Sequence, residues 1–454
     1  MSTRVVVIGG GPAGHEAATD MARYGAEVTL IERDVLGGSA HLHDCVPSKS
    51  MIATGGAMSF AKRVGRMGLA QVEPEIEAST LRDRIVAIES RLESSVRALL
   101  DSLSVRIISG TARLTGPHSV IASTEDGEID LAADVIVLCT GSRPRLPDWA
   151  HVDGERVLTT RDAYPPEQIP DHLVVVGSGV TGVEFVHMFS ALGSDVTLIV
   201  SRQQVLPQKD PEAAAVLEAD FLRRGVKLYK GARAIGIDRQ ADEITVRCDD
   251  GRIAKGSHAL LAIGSSPNSE SLDLQTAGVS VDEWGYVIVD HNLRSSVPHI
   301  YAAGDLSGRL PLSSVAAMQG RKIAEHAMGM HVGREHRHID YDKAASAIFT
   351  EPEIAEVGLA EADAFSSGRK IRVTKVPFSS NAKALINDDP RGFIKIVSDP
   401  HTGHVLGGSI VGRHAAELIS VIALAVSANL TVHDIHEALF VYPTLSESLS
   451  DAAE

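Results

Sequence analysis

"VVVIGGGPAGHEAATDMARYGAEVTLIERD", residues 5–34, decides the fold. An apolar run from Val5 to Ile8 leads into a turn carrying Gly9, Gly11 and Gly14. An amphipathic stretch opening with Pro12-Ala13 closes at Gly25, and a second apolar run ends in Glu32. Strand, glycine turn, helix, strand is the unit that seats a dinucleotide pyrophosphate on a helix N-terminus. One glycine permits the tight turn, one lets the phosphates approach the backbone, and one lets helix and strand pack closely. The pattern is written twice. "LVVVGSGVTGVEFVHMFSALGSDVTLIVSR", residues 173–202, aligns with it without a gap, placing Gly177, Gly179, Val180 and Gly182 on the corresponding positions. One such turn is weak evidence; two copies, each bracketed by strands, predict two bound dinucleotides.

The copies differ where the ribose is read. Glu32 stands at the end of the first, placed to accept hydrogen bonds from a ribose diol. The second has Val200 there, followed by Ser201 and Arg202. A hydroxyl and a guanidinium favour a 2′-phosphate that a carboxylate would repel, so the second site leans to NADPH, with NADH left open.

Composition bounds the rest. At 454 residues the chain calls for several domains, and 44% hydrophobic with 22% charged residues is ordinary for a globular protein. A formal charge of −16 and only 4% aromatics argue against nucleic acid as a partner. The opening residues carry no basic region followed by a cleavable apolar stretch, so no signal peptide is expected, and the apolar segment 418–430 is too short for a membrane span. Three scattered cysteines, Cys45, Cys139 and Cys248, make no disulfide scaffold and suggest a reducing cytoplasm.

With these motifs in place, the chain resembles the flavoprotein disulfide reductases, among them lipoamide dehydrogenase and glutathione reductase. "CTGSRPRLP" (139–147) and "AIGSSPN" (262–268) are similar to the family's two returns from its nucleotide domains, although Ser265 replaces the usual arginine. "YAAGDL" (301–306) matches the motif whose aspartate, here Asp305, holds the flavin ribityl–pyrophosphate region, and "LSSVAAMQGR" (312–321) opens a helix toward the flavin. The resemblance implies an α/β fold with two Rossmann-like domains, for FAD and NAD(P), and a C-terminal α+β dimerisation domain. It places the FAD-binding part at 1–150 and 269–338, the NAD(P) part at 151–268 and the dimerisation domain at 339–454, after a polar linker at 333–342. For FAD it implies Gly9, Gly11, Pro12, Ala13, Gly14, Glu32, Gly38, Ser39, Lys49, Ala112, Thr140, Gly141, Asp305 and Ser313. For the nicotinamide cofactor it implies Gly177, Gly179, Val180, Gly182, Glu184, Ser201, Arg202 and Gly264. Lys49 is expected to pair with Glu184 beside the flavin.

Departures from the family decide the expected function. In "GGSAHLHDCVPSK" (37–49) the reductases carry two cysteines; here Ala40 stands for the outer one and only the inner, Cys45, remains. The C-terminal His-Pro-Thr motif reads "YPTLSE", so Tyr442 replaces the acid–base histidine while Glu447 is kept. A lone thiol without its imidazole cannot complete dithiol chemistry. The pattern is similar to the lipoamide-dehydrogenase-like NAD(P)H:quinone reductases, cytoplasmic homodimers that pass electrons from NAD(P)H through FAD to a quinone. A single-thiol reductase using Cys45, or a flavin redox sensor, are the alternatives. His41 and His43 lack further ligands for a metal and are expected as solvated, proton-shuttling groups; Cys139 and Cys248 read as inert strand residues.

Overall fold

A computed structural model of the chain describes residues 2–70, 72–164, 166, 168–330 and 338–454. Of the expected linker at 333–342, residues 333–337 lie outside the described residues. The chain forms two compact units: one from Met1–Ser48, Arg82–Arg145 and Gly264–Ile339, the other from Lys49–Leu81, Leu146–Ile263 and Asp340–Glu454.

Each copy of the repeated pattern builds one unit's parallel sheet. In the first, strand β1 (Arg4–Ile8), helix α1 (Pro12–Arg23) and strand β2 (Glu27–Glu32) follow the predicted order. β1 sits centrally, between β2 and Val135–Leu138, with Ile300–Ala302 and Arg106–Ser109 at the edges. All of these neighbours pair in parallel. Central parallel strands are buried on both faces, which is why Val5, Val6, Val7 and Ile8 read as one unbroken apolar run. In the second unit, strand β3 (His172–Val176), helix α2 (Val180–Leu192) and strand β4 (Asp195–Val200) repeat the design. β3 lies between β4 and His258–Leu261, and Leu173 to Val176 are buried in turn. The duplication extends to a three-stranded antiparallel sheet in each unit, Thr111–Ala132 in the first and Ala234–Gly256 in the second.

The glycine turns explain why helix and strand sit so close. A Cβ on Gly14 would collide with the Gly9 carbonyl, and one on Gly182 with the Gly177 carbonyl. Gly9 and Gly177 hold φ of +101° and +111°, which L side chains rarely adopt. Gly11 and Gly179 differ in kind: nothing lies within 4 Å of a Cβ added at either. They cap the helices with ordinary negative φ, so the protein itself does not require glycine there.

The second unit also holds a five-stranded antiparallel sheet, in the order Ser346–Ile348, Glu353–Gly358, Val405–Gly412, Phe393–Ser398, Arg372–Pro377. Helix Ala415–Ala428 buries Ile419, Ile422 and Val426 in the same core as Ile394, Ile396 and Ile410. Beneath it, Lys395, 3% exposed, donates to Asp210 at 2.7 Å and Glu361 at 2.8 Å and lies 2.5 Å from Glu212. Those three carboxylates come close enough to hold a metal ion, but the ammonium stands among them. The surrounding acids hold the Lys395 pKa well above its usual value against the opposing effect of burial. Among the described residues, no helix is long and apolar enough to cross a membrane.

Two outcomes are expected. Gly11→Ala keeps its circular dichroism spectrum and melting temperature but binds FAD about tenfold more weakly or worse, since the new methyl faces only the phosphate site. Gly14→Ala loses the fold of the unit, seen as a collapsed melt; a Gly14→Ala protein melting like wild type would refute the packing argument. Separately, Lys395→Met leaves Asp210 and Glu361 without their ammonium, while Glu212 keeps Lys375, and costs about 3 kcal/mol, the low end for a broken buried pair because Glu212 and Glu361 are half exposed. The deficit narrows as pH falls toward about 4, where carboxylates protonate and their repulsion fades; thermal denaturation at several pH values checks both the size and the sign.

Candidate functional site

In the first unit the glycine turn, Glu32, Thr140 and Asp305 lie at or just past the C-terminal ends of parallel strands. Glu32, closing β2, accepts from the Gly10 N–H at 2.6 Å and from the Asp34 N–H at 2.8 Å, so its carboxylate is held rigid at the end of the strand. Gly37 and Gly38 make a turn with φ of +103° and +58°. A Cβ on Gly38 would lie 2.8 Å from Gly11 Cα, which seats this turn, with Ser39 after it, against the phosphate turn. Asp305 accepts from Ser142 Oγ at 2.6 Å. Thr140 and Asn268 bond reciprocally, Thr140 Oγ1 to the Asn268 carbonyl and Asn268 Nδ2 to the Thr140 carbonyl. Gly141, with φ of +67°, and Gly264, with φ of +103°, flank the antiparallel pair Ser142–Pro144 and Ser265–Pro267, which draws the two return segments together. Ala112 is buried in a strand, paired with Ala122.

Ser313 opens helix Ser313–Ala327, whose Gly320 packs so tightly on α1 that a Cβ would strike the Ala13 carbonyl. Buried Gln319 on this helix accepts from the Gly304 N–H at 2.7 Å, fixing the turn that carries Asp305. Sequence reasoning did not single out Ser142, Asn268 or Gln319. All three stand inside the quoted motifs, and their partners lie far away in the chain.

The residues present fit a dinucleotide in both units. The N-termini of α1 and α2 each end in a glycine that leaves its outer side open, while the flanking glycines are closed by protein. That is the cradle a pyrophosphate requires.

Cys45 follows a single π-helical turn, Ala40–Asp44, and its Sγ lies 3.4 Å from Ser313 Oγ. All three cysteines are free. Cys139 stands one residue past its strand rather than in it, and burial pushes its thiol up to about 12. Cys248, in Glu243–Cys248, is also raised by burial. His41 and His43, expected as solvated groups, lie in that π-helical turn and are both partly exposed. His41 lies against Gly37 with Nδ1 buried and without a hydrogen bond among the described residues, and burial lowers its pKa.

In the second unit Lys49 donates to Glu184 Oε2 at 2.8 Å. Glu184, on the first turns of α2 and 8% exposed, accepts at its other oxygen from the Phe349 N–H at 2.9 Å. The Phe349 ring centroid lies 5.0 Å from the Lys49 ammonium. Val180 begins α2 at the surface. Ser201 and Arg202 are exposed just past β4, and among the described residues no carboxylate pairs with Arg202. Three residues beyond Glu184, sequence reasoning passed over His187. It is fully buried against Arg224, 2.9 Å away, and burial drives its pKa down to about 3. Tyr442 is 74% exposed, beside Leu439 and Val441, which are also uncovered. Glu447 accepts from the Thr444 N–H at 3.0 Å rather than from Tyr442.

Comparison with known proteins accords with this geometry. The pyridine nucleotide-disulphide oxidoreductase model matches residues 3–320, and the dimerisation domain of the same group matches 344–453. An NAD(P)H dehydrogenase (quinone) of Mycobacterium tuberculosis is 41% identical, covering all of this chain and 94% of that protein. A dihydrolipoyl dehydrogenase of Haloferax volcanii is 34% identical, covering all of this chain and 96% of its own. The crystal structure of LpdA from Mycobacterium tuberculosis superposes with a TM-score of 0.94 at 40% identity, over 99% of each chain. RclA of Escherichia coli, at 24% identity and TM-score 0.88, shares the fold. The chain therefore belongs to the pyridine nucleotide-disulphide oxidoreductase family, as an oxidoreductase flavoprotein that takes FAD and NAD(P) and carries the family's dimerisation domain.

Proposed function

We propose that the protein is a cytoplasmic, homodimeric NAD(P)H dehydrogenase that uses FAD to reduce a quinone, with NADPH as the preferred donor. One asymmetry carries the reading. The nucleotide turns and the Lys49–Glu184 pair are complete, whereas Ala40 and Tyr442 stand where a disulfide reductase carries its outer thiol and its imidazole. The name of the mycobacterial relative supports the same acceptor class.

FAD held in the first unit would supply the two-electron chemistry that links a nicotinamide hydride donor to the acceptor. The chain's own residues do the rest. The Gly9–Gly14 turn and Glu32 hold the flavin nucleotide, and the Gly177–Gly182 turn holds the nicotinamide nucleotide. Lys49 keeps positive charge beside the flavin, where negative charge accumulates on reduction, and Glu184 aims it. Ser201 and Arg202, which no carboxylate pairs among the described residues, receive a 2′-phosphate. Tyr442 would offer its exposed hydroxyl as the proton donor to the quinone, and Glu447 anchors the turn behind it. The uncovered Leu439, Val441 and Tyr442 support burial in a homodimer. A second reading, a single-thiol reductase, rests on the partly exposed Cys45.

NADPH oxidation is expected to run with menadione and benzoquinone and to fail with lipoamide and oxidised glutathione. Anaerobic dithionite titration reaches full reduction at two electrons per FAD. Cys45→Ser keeps quinone turnover within a factor of about 5, because direct transfer bypasses sulfur. Uptake of four electrons, or a hundredfold loss in Cys45→Ser with FAD retained, would transfer the function to the thiol.

Arg202→Ala is expected to weaken NADPH use by about tenfold or more and to leave NADH use nearly unchanged, since a charge-assisted bond to phosphate is worth roughly 1.5–3 kcal/mol. Equal losses with both donors would show that Arg202 does not read the 2′-phosphate.

A further inference from the structure

We infer that Phe349 is a positioning residue for the Lys49–Glu184 pair, holding both of its members at once and thereby setting how strongly the lysine charge acts on the flavin. The inference rests on the proposed place of Lys49 beside the flavin. Phe349 offers two handles of different chemistry. Its backbone N–H donates to Glu184 Oε1 at 2.9 Å, the oxygen that Lys49 does not use. Its ring lies 5.0 Å from the Lys49 ammonium, within reach of a cation–π attraction. With the 2.8 Å bond from Lys49 to Glu184 Oε2, the three contacts close a loop.

Each contact does something the others cannot. A carboxylate pinned by a backbone amide cannot rotate to follow a lysine that swings away. Lys49 is 32% exposed on a flexible four-carbon stem, so the ion pair alone would hold it loosely. The aromatic face adds restraint and removes water from one side of the ammonium. It does so without a second carboxylate, which would cancel the charge the flavin is meant to feel. The handles are themselves fixed: Phe349 follows strand Ser346–Ile348 directly, and buried Thr350 bonds the Pro352 carbonyl at 2.7 Å.

The test uses the full-length, FAD-loaded protein and reads the ratio of reduced to oxidised flavin in equilibrium with a reference dye. Lys49→Met comes first and is expected to lower the ratio about tenfold or more. No change there would refute the placement of Lys49 itself, and this inference with it. Phe349→Leu is expected to lower the ratio about two- to tenfold, Phe349→Tyr to match wild type, and Phe349→Leu to add nothing once Lys49 is methionine. A wild-type ratio in Phe349→Leu where Lys49→Met shifts it, or the same shift in both backgrounds, overturns the role assigned to Phe349. Should the leucine variant not retain FAD, fluorinated phenylalanines at 349 preserve the ring's shape while draining its face of electron density. A graded fall with fluorine number supports the role, and a flat response overturns it.

Discussion

Everything in this molecule depends on how closely a helix can approach the strand before it. At Gly14 and at Gly182 the helix backbone meets the carbonyl of the first glycine of its own turn, leaving no room for a single methyl group. That contact aims the helix N-terminus, and hence its unpaired N–H groups, along the open side at Gly11 or Gly179. A chain carrying −16 overall can hold two pyrophosphates because binding is decided by a few oriented backbone dipoles at short range, not by net charge.

The two copies then diverge by electrostatics. In the first unit the strand end presents a rigid carboxylate, Glu32, with both oxygens engaged by backbone N–H groups. In the second, the equivalent carboxylate is gone; the carboxylate one turn into the helix is present in both copies, as Glu16 paired with Arg321 and as Glu184 paired with Lys49. A nearly buried carboxylate without that partner would incur a large desolvation penalty. The same logic governs Lys395, whose ammonium is tolerable in the core because carboxylates surround it. It also governs Arg391, bound to Asp220, Glu351 and Asp389. Among the described residues, the charges buried in the second unit are those that an opposite charge answers.

Comparing sequence and structure element by element shows where local information suffices. The strands at Val5–Ile8 and Leu173–Val176, the helices after them and the turns at 9–14 and 177–182 were legible because period, glycine spacing and flanking residues all act within a few positions. Even the pairing of Lys49 with Glu184, 135 residues apart, followed from two motifs read together. The contact of His41 with Gly37 was not legible, because an alternating pattern says nothing about a π-helical turn. Ser142, Gln319 and Asn268 escaped notice because a polar residue's partner across the fold leaves no mark in its own neighbourhood.

The amino-acid sequence by itself determined the repeated nucleotide-binding unit, the residue chemistry at the ends of its strands, and the single cysteine, Cys45, in the stretch 37–49. Each is a matter of residue type at fixed local spacing, and local spacing survives without a fold. Tertiary structure alone decided which distant groups share a bond. It put Gln319 under the Gly304 amide, Ser142 on Asp305, and both handles of Phe349 on one ion pair. Those contacts join segments separated by 15 to more than 160 residues, and only packing can choose among the many partners that such separations allow.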